Sequence, residues 1–244
     1  MADLAACDTG WDYSTRLTEV RARIHIAEYA AGRAGSNVSL LVATKAWDAD
    51  AAAAAVRAGA RLVGESRMQE LAVKGAPLKA AGAKVHVIGQ LQRNKAATAV
   101  EFADCVQTVD SLSLAERLSR LCADAKKDLD VMIQVNVSGE DSKAGVAPRE
   151  ALALASAAQA LPFLTVTGFM TIGLNSPDEA AVRAGYAGLA ELRDEALIRS
   201  ERGEFPLREA WGLSMGMSND LEWAIAEGAT IVRVGTAVMG HRTR

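Results

Sequence analysis

Short apolar, β-branched runs alternate along this chain with longer stretches whose apolar positions recur at helical spacing. The first signal is helical: Leu17, Val20, Ile24 and Ala27 fall three or four residues apart between Leu17 and Arg33, and Gly32 and Gly35 stop the pattern. Strand-like runs then lie near Val38, Arg61, Val85, Asp104, Asp130, Leu164, Arg208 and Thr230. The helix-length segments Asp48 to Ala58, Ser66 to Ala81, Ser111 to Ala125, Pro148 to Ala160 and Pro177 to Glu201 link them. Strands alternating with helices over the whole chain mean a parallel sheet. Eight units without a linker favour closure, so the expected fold is α/β: one (β/α)8 barrel of the TIM type with an additional N-terminal helix, a single domain over 1–244. An open doubly wound sheet is the runner-up, weakened because no GxGxxG turn follows the first strand. Residues 1–14 read as a flexible tail.

Composition narrows the partners. Half of the 244 residues are apolar, enough for one large core. The formal net charge is -3 with Lys and Arg scattered, so the basic face that nucleic acid requires is not expected. Cys7, Cys105 and Cys122 are odd in number and far apart, which argues against a disulfide framework and against a CxxC site. The start of the chain is acidic, and no apolar run reaches the roughly 20 residues of a membrane span, so a cytoplasmic protein without membrane contact is expected. His25, His86 and His241 are scattered and form no metal set, and His86, read at the start of its strand, takes a structural role.

Candidate chemistry gathers at the C-terminal ends of strands. The segment from Trp211 to Arg242 holds two small-residue turns, Ser214 to Ser218 and Gly235-Thr236, each after an apolar run. In a βα barrel the loops after the seventh and eighth strands commonly hold a phosphate through backbone N–H groups; the plainer reading makes Ser218 a helix cap and Gly235 a turn. Lys45 ends the buried-strand run Ser39 to Thr44. At an apolar barrel mouth a lysine loses hydration, and its free amine becomes able to attack an aldehyde; the plainer reading is a lysine reaching to solvent. Arg233 interrupts the final strand and, alternating with Val232 and Val234, faces the barrel interior, where it needs an acceptor. A pyridine nitrogen or a strand-end carboxylate would serve. A lysine, a phosphate pocket and this arginine on one rim are what pyridoxal 5′-phosphate requires. An arginine-bonded pyridine stays unprotonated and is a poor electron sink, which suits carriage or simple proton transfer. Asn136, after the fifth strand, faces the cofactor or satisfies nearby backbone. Asp141 and Lys143 read as an exposed pair, with Lys143 a secondary amine for a free aldehyde. Asn94-Lys95 starts a helix near the rim.

Read together, Thr44-Lys45, Gly64-Glu65, Ile88 to Lys95, Gln134 to Ser138 with Ser142 to Gly145, Gly168-Phe169-Met170, Leu213 to Asp220 and Val232 to Thr236 resemble the successive motifs of the pyridoxal phosphate homeostasis proteins, from about residue 15 to the C-terminus. That family is a single βα barrel similar to the N-terminal domain of alanine racemase. The resemblance implies that Lys45 forms the internal aldimine, that Arg233 contacts the pyridine nitrogen, and that Ser218, Gly235 and Thr236, with backbone around Met217, hold the phosphate. Two departures stand out: Ser66 where the family usually has asparagine, placing a ring-side contact in doubt, and Ala46-Trp47-Asp48 where a proline often follows the lysine.

The family implies a carrier acting on vitamin B6 pools, with no established turnover and no catalytic residues, monomeric, and with pyridoxal phosphate-dependent apo-enzymes as candidate recipients. The alternative is an amino-acid racemase of the alanine racemase type, in which Lys45 is one base and a second base works the opposite face. Alanine racemase takes that base, a tyrosine, from an additional domain. Tyr13, Tyr29 and Tyr186 are all expected on outer helices or the tail, away from the rim. A third reading is a barrel for another phosphorylated metabolite, without a lysine linkage.

Overall fold

The computed structural model describes residues 11–140 and 143–240. Residues 1–10 of the expected tail, with Cys7, Asp141 and His241, lie outside that range. The rest of the expected tail is part of the fold: Trp11 Nε1 donates to the Val238 carbonyl at 2.8 Å, and Asp12 Oδ1 caps the first helix by accepting from Thr15 N at 3.1 Å. That helix, α1 (Tyr13–Ala30), buries Leu17, Val20, Ile24 and Ala27, the stripe that the spacing predicts.

Eight parallel strands follow and close on one another in chain order: β1 (Ser39–Ala43), β2 (Leu62–Glu65), β3 (Lys84–Val87), β4 (Cys105–Val109), β5 (Leu129–Gln134), β6 (Leu164–Met170), β7 (Gly212–Met217) and β8 (Ile231–Val234). Pairing of β8 with β1, Val42 opposite Val234, completes the barrel. The connecting helices are α2 (Ala49–Arg57), α3 (Met68–Ala80), α4 (Ala96–Phe102), α5 (Leu112–Ala125), α6 (Pro148–Gln159), α7 (Glu179–Glu201) and α8 (Leu221–Ala226), with a final short α9 (Thr236–Met239). A 3-10 turn over Arg93–Lys95 leads into α4, where the sequence places a helix start.

The seventh strand does not lie near Arg208. It begins at Gly212, where pairing with Gly168 of β6 starts, and Arg208 lies in the turn before it. Two cores result. The larger lies between the sheet and its helices; the smaller fills the lower lumen with Cys105, Met132 and Met170, packed against Ile231. Above it the lumen turns polar, with Gln107, Ser214 and Arg233 buried. No helix among the described residues is long and apolar enough to cross a membrane.

Candidate functional site

The turn that follows β1 presents the lysine. Trp47 N donates to Thr44 O at 3.2 Å, closing a four-residue turn, and Ala46 at its third position lies in the left-handed region at φ +70°.

 That conformation costs a non-glycine residue about 1–2 kcal/mol, so the turn persists only because its surroundings hold it.

Three buried charged side chains do so. Lys74 Nζ, on α3, donates to Thr44 O at 2.8 Å, to Glu65 Oε1 at 2.9 Å and to Glu70 Oε2 at 2.8 Å. Thr44 Oγ1 donates to Glu65 Oε1 at 2.6 Å, and the strained Ala46 N–H donates to Glu70 Oε2 at 2.6 Å. Lys74 and Glu65 are fully buried, and Glu65 Oε2 has no hydrogen-bond partner. Burial lifts the Glu65 carboxyl above its usual value in spite of Lys74. Burial also pulls Glu70 upward, but the bonds from Lys74 and from Ala46 N–H outweigh it and hold Glu70 below the usual carboxylate range. Lys45 itself is exposed. It stands one residue beyond buried Thr44, and its side chain is not enclosed by the barrel mouth as the sequence suggested; the cluster holds the backbone of its turn.

Arg233 does face the lumen. Its Nη1 donates to Ser214 Oγ at 2.9 Å and its Nη2 to Thr171 O at 2.7 Å. No carboxylate forms an ion pair with it among the described residues, so the strand-end salt bridge is not its role. Burial lowers its pKa to about 10, opposed by Tyr186 and Asp220, so it is a cation at neutral pH.

The two small-residue turns lie side by side, since Met217 at the end of β7 is in register with Arg233 of β8. Gly216 takes φ +87°, and a Cβ there would meet that of Ala224 at 2.4 Å, so glycine is required where the chain turns toward α8. The Met217 N–H is taken by Asp220 Oδ1 at 2.6 Å, and Tyr186 OH donates to Asp220 Oδ2 at 2.8 Å. Ser218 is half-buried and is not the cap of α8; Asp220 holds that position. The backbone N–H groups of Ser218, Asn219, Thr236 and Ala237 make no hydrogen bond among the described residues. A Cβ on Gly235 would meet nothing nearer than Ala43 O at 3.6 Å, which leaves room above this pair of turns.

Asn136 is spent on its own loop: its Nδ2 donates to Glu140 O and Lys143 O, and its Oδ1 accepts from Ser138 Oγ. These bonds match the other role the sequence left open for it, satisfying nearby backbone, here in the segment after β5. Tyr186 is not remote from the rim, because its buried ring reaches from α7 through to Asp220 in the turn after β7. Lys143 is paired with Glu140 at 2.7 Å and donates to Gly173 O at 2.9 Å. His86 lines a cavity of about 290 Å³ with Ser39, Cys105 and Asp130, among residues that begin their strands, so it lies away from the rim as expected. The Glu65, Glu70 and Lys74 cluster is absent from the sequence reading, although Glu70 and Lys74 stand at the i, i+4 spacing of a helical ion pair.

A family model, alanine racemase, N-terminal domain, matches residues 18–243. The chain is 42% identical over 226 residues to the pyridoxal phosphate homeostasis protein of Pseudomonas aeruginosa, covering 93% of this chain and 94% of that one. It is 38% identical over 230 residues to the protein of the same name from Vibrio cholerae, covering 93% and 94%. Among solved structures, PipY of Synechococcus elongatus with PLP bound aligns at a TM-score of 0.79 and 31% identity, covering 94% of this chain and 100% of that one.

Proposed function

The chain belongs to the pyridoxal phosphate homeostasis proteins, and from that premise we propose that it binds pyridoxal 5′-phosphate at the barrel rim, covalently through Lys45, and acts in the cytoplasm as a monomeric carrier in vitamin B6 homeostasis. When bound, the cofactor supplies an aldehyde that a primary amine captures reversibly. The single observation that carries this reading is Arg233: a buried cation below the rim, anchored by Ser214 and Thr171, without a carboxylate. Such a group fits a neutral ring acceptor above it. Arginine only donates, so it supplies no proton acceptor to the ring and favours holding the cofactor over stabilising a carbanion.

The remaining residues fit the same ligand. Ser218, Gly235 and Thr236, with backbone around Met217, are the proposed phosphate cradle; the unpaired amides of their two turns are the donors an anion needs. Lys45 reaches the rim from β1, the strand paired with β8. Asn136, whose amide is bonded to its own loop, is the least supported member of the proposed set. No observation favours the racemase alternative: Tyr186 is buried with its hydroxyl committed to Asp220, and Tyr29 is 79% exposed on α1. Delivery to pyridoxal phosphate-dependent apo-enzymes is part of the proposal.

The test is the visible absorption spectrum of the protein and of Lys45→Ala after loading with pyridoxal 5′-phosphate and removal of excess. A yellow band in the parent, lost on borohydride reduction and absent from the variant, supports the linkage. An equal band in both excludes Lys45, and sustained racemisation dependent on Lys45 overturns the carrier reading.

A further inference from the structure

The polar groups inside the barrel form a chain with a direction. Arg233 Nη1 donates to Ser214 Oγ at 2.9 Å, Ser214 Oγ donates to Gln107 Oε1 at 2.7 Å, and Gln107 Nε2 lies 2.8 Å from His86 Nδ1. These residues come from β8, β7, β4 and β3, so the chain crosses the lumen from beneath the rim to the cavity that His86 lines at the opposite mouth. A guanidinium can only donate. Ser214 therefore accepts from Arg233 and passes its own proton on, which requires the Gln107 carbonyl to face Ser214 and the Gln107 amide to face His86. Nδ1 of His86 must then accept, leaving its proton on Nε2. Gln107 and Ser214 are both fully buried. Turning the Gln107 amide over would strand the Ser214 proton without an acceptor in a site that water does not reach.

We propose that Gln107 and His86 are positioning residues for Arg233, fixing through Ser214 the direction in which its guanidinium meets the rim. The inference rests on the reading of Arg233 as the group beneath the cofactor ring, and it deepens that reading by naming what aims it. With Thr171 O as its only anchor, the guanidinium could swing about one bond. The second anchor is Ser214, and its orientation is set two links away. The end of the chain is stable at neutral pH: burial holds the His86 pKa down to about 4, with Asp104 pulling it up and Lys84 and Lys79 pushing it down. Asp130 and Cys105 line the same cavity.

Gln107→Met keeps the length of the side chain and removes both bonds. Its dissociation constant for pyridoxal 5′-phosphate should rise about tenfold, the scale of one hydrogen bond to a charged group, and the absorption maximum of the bound cofactor should shift. Gln107→Glu keeps the acceptor for Ser214 but loses the donor to His86, so it should recover only part of both; no recovery at all overturns the proposal. Without cofactor, nitrogen-15 spectra of the histidine rings should show His86 protonated on Nε2 alone; a proton on Nδ1 overturns the stated direction. Arg233→Gln separates the two layers of the argument. If it changes neither affinity nor spectrum, the reading of Arg233 fails. If it changes them while a folded Gln107→Met does not, only the positioning role fails. Should Gln107→Met not unfold cooperatively, His86→Leu cuts the chain one link further on and must weaken binding in the same direction, or the proposal is wrong.

Discussion

Replacing Lys74 by methionine removes the one ammonium that bonds both Glu65 and Glu70 and also holds the Thr44 carbonyl. The methionine fits the length of the lysine stem, so little volume is lost. Buried Glu65 is left without a cation and Glu70 keeps only Arg67 Nη1 at 3.3 Å, and breaking a buried pair from one side costs about 3–5 kcal/mol. For a chain of this size each kcal/mol moves the melting temperature by about 2–4 °C, so a fall of about 6–20 °C is expected. The loss should depend on pH. In the variant Glu65, already raised by burial, moves further above its unfolded value. A carboxyl raised in the folded state keeps a proton that the unfolded chain has released, so stability declines as pH climbs from the unfolded to the folded value. Urea unfolding followed by circular dichroism should therefore show a larger loss at pH 8 than at pH 5. A loss below about 1 kcal/mol at pH 8, or one equal at both pH values, would refute the view that uncompensated charge is the cost. Adding Glu65→Gln should recover part of it, since the two residues share a bond.

Lys45→Ala should leave unfolding within about 0.5 kcal/mol of the parent, because the side chain is exposed; a large drop in urea midpoint would give Lys45 a structural role. Thr236→Val should weaken retention of pyridoxal 5′-phosphate while sparing pyridoxal, and equal effects in paired titrations would remove Thr236 from the phosphate cradle. Tyr186→Phe deletes the hydroxyl bonded to Asp220 Oδ2 and should cost about 1 kcal/mol together with weaker phosphate retention. Unchanged retention in a destabilised variant would confine Tyr186 to packing.

The strand and helix alternation was legible because most strands are β-branched runs between amphipathic segments. The exception is instructive: β7, GLSMGM, carries no β-branched residue and two glycines, so its pattern is weak and the expected start fell on Arg208. The inward direction of Arg233 followed from strand alternation alone. What surrounds Lys45 did not, because the cluster joins Glu65 at the end of a strand to Glu70 and Lys74 on a helix, and the helical pair by itself reads as a solvated surface feature. Tyr186 was misplaced for a related reason: its backbone lies on an outer helix, but a tyrosine is long enough to span the layer between helix and sheet. Asn136 turned on which of two backbone sets its amide would meet, which depends on the course of the loop after it.

Arg233 also sets the field at the mouth of the barrel. The chain is acidic overall, with a formal charge of -3, yet its lumen holds a cation with no anion paired to it among the described residues. Low-dielectric walls concentrate such a field toward the open end. Mobile ions screen exposed charges within about 8–10 Å but do not enter a buried lumen. An anion approaching the rim thus meets an attraction that salt weakens while the anion is still in solvent and weakens far less once it is seated over the buried cation, so added salt should slow capture more than it loosens the bound state.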